Sequence, residues 1–155
     1  NDKLLGAAID VFPKEPLNNK EEFQSKLRGF KNLILSPHIG GSTKEAQKNI
    51  GSYVPDKIID FINTGNTSNC VNFPELSLPE QKDAHRLIHI HNNEPGVLLN
   101  INKIISNYDI NIKGQYLKTI ENIGYVITDI DREYDKSVVK ELKNIKHTIK
   151  LRVLY

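Results

Sequence analysis

Apolar positions come in short groups along this chain, and their spacing changes from element to element. Ala7 to Phe12, interrupted only by Asp10, predicts a strand buried on both faces, as parallel strands are. Leu33-Ile34-Leu35 predicts a second short strand, and the polar stretch 18–32 between them a surface helix or loop. From Ser42 the period lengthens: Ala46, Ile50, Val54, Ile58 and Phe61-Ile62 recur at helical spacing. Ser42 or Thr43 is placed to cap this helix, Glu45 lies in its first turn, and Gly65 is placed to stop it. Pro55 removes a backbone donor inside it, at a cost of about 3 kcal/mol unless relieved, so a bend is expected near residues 51–55.

Residues 66–84 are rich in Asn, Ser, Thr, Pro and charge, with an apolar island at Val71 to Phe73. They predict a linker with one docking strand. Beyond it, His85 to His91 alternates as a strand. Pro95 at a first helical position opens a helix with Val97, Leu98, Ile101, Ile104, Ile105 and Tyr108 on one face. Strands are expected over 110–118 and 123–130. A further helix follows with Val138, Val139, Leu142 and Ile145 on one face, and a last strand runs from Thr148 to Tyr155. The order βαββαβ is that of a ferredoxin-like fold.

Composition narrows the function classes. Lysine plus arginine exceeds aspartate plus glutamate by 21 − 19 = +2, so no charge imbalance points to nucleic acid or an anionic membrane. No run of apolar residues exceeds three, which fits neither a transmembrane helix nor a signal-peptide core. The single Cys70 has no partner for an internal disulfide and fits a reducing, cytoplasmic setting. No metal-ligand spacing occurs. Methionine is absent, and the chain opens within a helix-like end, Asn1 to Leu5, so it reads as a fragment of a longer protein.

The candidate chemistry centres on Ser36-Pro37-His38-Ile39-Gly40-Gly41-Ser42-Thr43. A lone histidine sits where a short strand ends and a helix is about to begin, the position at which open α/β sheets hold their ligands. Gly40 and Gly41 let a ligand or backbone come close. A histidine that only packs or caps a loop is the alternative. Asp10 is costly to bury without a partner, although backbone donors at the strand end would satisfy it. Glu15, between Pro13 and Pro16, lies on a loop, where a glutamate is usually solvated. In the second half, the helix start after His91-Asn92-Asn93-Glu94-Pro95-Gly96 offers exposed amides to a carboxylate. Here Asn92 or Asn93 acting as a plain helix cap is the alternative.

Several stretches, in the same order, resemble the NAD-dependent D-2-hydroxyacid dehydrogenases. They are Gly6 to Pro16, Ser36 to Thr43, Val71-Asn72-Phe73-Pro74-Glu75, His89 to Leu98 and the ending Leu151 to Tyr155. The nearest branch is the bacterial 3-phosphoglycerate-oxidising one with a C-terminal ACT domain. The resemblance implies an α/β chain. Residues 1–65 would be the C-terminal remnant of a Rossmann-type cofactor domain with its exit helix, 66–84 a linker, and 85–155 a ferredoxin-like ACT domain.

The same resemblance implies roles. Glu15 and His38 would be catalytic, a carboxylate and the imidazole it orients for proton transfer to or from the alcohol oxygen. Asp10, His38, Ile39, Gly40 and Gly41 would line the NAD cofactor, with Asp10 beside the nicotinamide carboxamide. The family's substrate-gripping arginine has no counterpart here: Arg28, in the polar stretch 18–32, is no substitute. The glycine-rich pyrophosphate turn is likewise missing, so no dehydrogenase activity is expected of the isolated chain. His91, Asn93 and Asn111, the last from a neighbouring chain, would bind L-serine between two ACT domains and so mediate feedback inhibition. His89 is assigned to packing. The implied parent oxidises 3-phosphoglycerate in the first step of serine synthesis and is a homo-oligomer, a dimer through its ACT domains and a tetramer overall. The competing readings are a non-catalytic, amino-acid-binding ACT dimer and a sister dehydrogenase with another substrate.

Overall fold

A computed structural model describes residues 4–18, 20–131 and 133–154. The chain divides into two compact units, residues 1–54 and 55–155. In the first, β1 (Ala7–Ile9) and β2 (Leu33–Leu35) pair in parallel, Ala7 opposite Leu33 and Ile9 opposite Leu35. The strand expected over residues 7–12 therefore stops three residues early. The amide of Phe12 goes to the Glu15 carboxylate at 2.9 Å, and Pro13 has none to offer the ladder. Nor is the strand buried on both faces. Val11 is 60% exposed and Ile34 71%, because each strand has a single neighbour and no described element of this unit covers their faces. Residues 20–32 form turns and no helix, and the helix-like opening at Asn1 to Leu5 falls largely outside the described residues.

The long helix α1 (Lys44–Thr64) begins in the first unit and ends in the second. Thr43, of the two capping candidates, accepts the Ala46 amide at 3.1 Å. The helix continues through Pro55, where the division between the units falls. None of its residues is buried: Ile50, Val54, Ile58 and Ile62 are each about half exposed. Gly65 ends it in the left-handed region at φ 77°, with the Tyr125 hydroxyl donating to its carbonyl at 2.6 Å. A Cβ there would also press on the Ile88 side chain, 3.1 Å from Cγ1, so both conformation and space require glycine.

The second unit carries β3 (His85–Asn92), α2 (Val97–Asn107), β4 (Ile112–Ile120), β5 (Ile123–Ile130), α3 (Lys136–Lys143) and β6 (Thr148–Val153). The four strands form an antiparallel sheet in the order β4-β5-β3-β6, the ferredoxin-like arrangement. Alternation along β3 and β5 sends Leu87, Val126 and Ile130 toward α2 and α3, where Val97, Ile101, Ile105, Val138 and Leu142 complete one core. α2 starts two residues later than expected. Pro95 is not its first residue, and Gly96, at φ 89°, is the N-cap without any side-chain bond. Asn92 and Asn93 therefore do not cap it. Asp135, whose carboxylate accepts the Ser137 amide at 2.8 Å, does cap α3.

The opposite face of the sheet is covered too. Ile88, Tyr125 and Ile127 pack with Leu78, and Phe73 stacks edge-on against Tyr125 with centroids 5.0 Å apart. Residues 66–84 thus lie against the sheet as irregular chain. The docking strand expected around Val71 is absent: Val71 is 92% exposed, and backbone bonds such as Thr67 N–H to Leu76 C=O, at 2.8 Å, close a local loop. Beneath this cover Arg86 and Asp129, both with no exposed side-chain surface, form a two-pronged ion pair with both bonds at 2.7 Å. Arg86 also donates to the carbonyls of Thr64 and Pro79, tying the end of α1 and the loop to the sheet.

Candidate functional site

The first unit gathers Asp10, Glu15 and the turn after β2 in one place. His38 Nδ1 lies 2.8 Å from Glu15 Oε2, and Glu15 Oε1 accepts the Phe12 amide at 2.9 Å, so the carboxylate is held from both ends. The hydrogen bond and the charge of Glu15 raise the His38 pKa above its ordinary value, while the bonds from His38 and Phe12 lower that of Glu15. With Nδ1 occupied, Nε2 is the ring atom left to exchange a proton with another group. His38 itself has φ 53°, left-handed backbone that a non-glycine residue adopts at a cost.

Asp10 explains how that conformation is held. Its carboxylate accepts the Ser36 hydroxyl at 2.7 Å, the Ile39 amide at 3.0 Å and the Gly40 amide at 2.9 Å. These donors flank His38 on both sides, so one carboxylate clamps the turn around the imidazole. They also lower the Asp10 pKa, Ser36 most strongly. A carboxylate offers about four acceptor positions, and three are filled, which leaves one on Oδ2 for an amide donor such as a carboxamide. A Cβ on Gly40 would sit 3.1 Å from that oxygen, so glycine keeps its edge open. Gly41 continues the turn, its carbonyl accepting the side-chain amide of Gln47. Ser36 is the residue here that sequence reading passed over, since its hydroxyl matters only through a partner 26 positions away.

In the second unit the predicted effector residues fall into two places. His91 and Asn93 lie at the end of β3 beside the β4–β5 turn. The Asn93 amide donates to Asn122 C=O at 2.8 Å, and its Nδ2 donates to Glu121 C=O at 3.1 Å. His91 is 2% exposed. Its Nδ1 meets the Asn92 carbonyl at 2.7 Å; a carbonyl only accepts, so Nδ1 carries the proton. Nε2 is buried without a partner, as is Nδ1 of His89, whose other nitrogen meets Thr148 Oγ1 at 2.8 Å. Burial, and then the neighbouring His91, push the His89 pKa down to about 4. Asn111 is at the far end of the sheet, exchanging bonds of 3.1 Å with Asp131 next to the start of β4. The register sets His91 opposite Gly124, while Ile130 stands opposite both His85 and Ile112. Six strand residues separate the two places, roughly 20 Å. One copy of the chain cannot bring His91 and Asn111 onto one small ligand.

No group of three or more metal-ligating side chains occurs among the described residues, and no described helix is long and apolar enough to cross a membrane. An AHAS small subunit-like ACT domain family matches residues 87–150. The D-3-phosphoglycerate dehydrogenase of Haemophilus influenzae is 52% identical over 153 residues, covering 99% of this chain and 37% of that protein. The protein of the same name from Dictyostelium discoideum is 48% identical over 152 residues, covering 98% and 37%. That from Escherichia coli K12 is 49% identical over 154 residues, again covering 98% and 37%. The chain thus spans little more than a third of the length of the curated relatives it matches.

Proposed function

We propose that the chain, which is similar over 98–99% of its length to part of the D-3-phosphoglycerate dehydrogenases and carries an ACT-domain match, supplies two parts of such an enzyme. One is the proton-transfer pair and cofactor edge; the other is the domain that senses L-serine. The observation that carries the first part is the 2.8 Å contact between Glu15 Oε2 and His38 Nδ1. In oxidation of 3-phosphoglycerate, His38 Nε2 takes the proton from the alcohol oxygen, and Glu15 stabilises the imidazolium and keeps Nδ1 as its donor. NAD, when bound, accepts the hydride. The free acceptor position of Asp10 and the open edge at Gly40 suit its carboxamide, and His38, Ile39 and Gly41 complete that edge.

The second part rests on His91, Asn93 and Asn111. With the two places roughly 20 Å apart along the sheet, the serine site joins His91 and Asn93 of one copy to Asn111 of another. A ligand held by two copies favours one placement of the subunits over others, and that difference in affinity is the origin of feedback inhibition. The parent is then a cytoplasmic homo-oligomer of serine synthesis, dimeric through its ACT domains and tetrameric overall.

A second reading applies to the chain on its own: an amino-acid-binding dimer without catalysis. The distribution of burial favours it, since among the described residues every buried core residue lies in the second unit. The test is the full-length dehydrogenase carrying these residues, assayed for NAD reduction with 3-phosphoglycerate and for inhibition by L-serine, with glycine and L-alanine as controls. Reduction that is lost on changing His38 to Asn, together with serine-selective inhibition, supports the proposal. Reduction that persists in that variant contradicts it.

A further inference from the structure

We infer that Gly124 is the seat of the His91 ring and so a positioning residue for effector recognition, an inference that rests on the serine-binding reading above. Gly124 stands directly opposite His91 in the β3–β5 pairing, the one glycine in β5, set between Ile123 and Tyr125. Its backbone is ordinary strand, with no left-handed φ, so conformation does not require glycine. Space does. A Cβ at this position would lie 2.8 Å from His91 Nδ1 and closer still to Cε1 and Nε2. Carbon atoms in van der Waals contact need roughly 3.5–4.0 Å.

The ring has little freedom to yield. It is 2% exposed, its Nδ1 is bonded to the Asn92 carbonyl, and the His89 ring lies 6.0 Å away, centroid to centroid. A methyl at position 124 would therefore push the imidazole off the strand and break the bond that fixes its tautomer. The buried, unpartnered Nε2 is the acceptor this arrangement presents to a ligand's ammonium or hydroxyl. Moving the ring removes that acceptor. Glycine inside a strand often marks such a close approach.

The test is a double-mutant cycle in the full-length protein, reading L-serine affinity by calorimetry and thermal unfolding for the wild type, Gly124→Ala, His91→Ala and the double variant. Gly124→Ala should weaken L-serine binding at least tenfold and lower Tm. In the His91→Ala background the same change should leave Tm level or higher, because alanine suits a strand better than glycine once the ring is gone. Unchanged serine affinity in Gly124→Ala, or Tm shifts that simply add, would overturn the inference. A wild-type protein that fails to bind L-serine would overturn the serine reading instead, and the Tm cycle would still decide whether Gly124 seats the ring.

Discussion

His38 and Glu15 stand 23 positions apart in the chain, and their side chains meet at 2.8 Å. The pair forms because β1 and β2 run parallel, which brings the loops leaving their carboxyl ends to the same edge. The carboxylate raises the imidazole pKa. A base must be unprotonated to accept the substrate proton, so oxidation should gain rate as pH rises through a value above 6.5. In Glu15→Gln that acidic limb should move down toward pH 6.5, visible in the pH profile of kcat/KM for the full-length enzyme. A limb that stays in place would mean that Glu15 does not control the ring.

In the proposed mechanism, changing His38 to Asn removes proton transfer itself, which should cost about 10²- to 10⁴-fold in kcat. Ser36→Ala leaves the reacting groups in place but removes one of the three donors that Asp10 uses to hold the turn. Its effect should be smaller, roughly fivefold. It should appear in KM for NAD as well as in kcat, because in the proposed enzyme the clamp and the cofactor edge share one carboxylate. Steady-state kinetics with varied NAD would separate the two.

Much of this was legible in the letters. The helical period after β2, the glycine that ends α1, the βαββαβ order and the pairing of Glu15 with His38 all follow from local pattern or from motifs in order. Other features depend on partners far away in the chain. Nothing near Arg86 announces that its charge is buried against Asp129, 43 positions on, and the alternation of His85 to His91 does not say what packs against the Arg86 face. That face is covered because residues 66–84 fold back over it, a tertiary outcome that turn-rich composition does not encode. The burial expected of β1 failed for the converse reason: periodicity reports what a strand is suited to pack against, not whether a neighbour is present.

The Arg86–Asp129 pair makes a stability prediction with a sign. Arg86→Met leaves a fully buried carboxylate unpaired, which typically costs about 3–5 kcal/mol. Replacing both, as in Arg86→Met with Asp129→Leu, removes the stranded charge and should recover most of that loss. Urea unfolding of the three proteins checks it. Equal destabilisation of the single and double variants would show that the carbonyls of Thr64 and Pro79, rather than Asp129, are what Arg86 serves.

His89 gives the second unit a pH-dependent stability. Its folded pKa, about 4, lies below the ordinary 6.5, so the unfolded chain binds the proton more readily. The stability this histidine contributes is present above pH 6.5 and is lost as pH falls toward 4, by up to ~3 kcal/mol. Denaturant titrations at pH 7.0 and 4.5 should show a smaller acid loss in His89→Gln than in the wild type. An identical loss in both would place the acid sensitivity elsewhere.

In the proposed effector site His91 and Asn111 come from two copies of the chain onto one ligand, and complementation tests this most directly. His91→Ala and Asn111→Ala, each purified alone, should give no saturable heat with L-serine. Co-expressed in equal amounts, they form mixed dimers in which one of the two sites is whole, so binding should return at about one quarter of the wild-type stoichiometry. A mixture as silent as its components, in dimers shown to have exchanged, would contradict a site shared between copies.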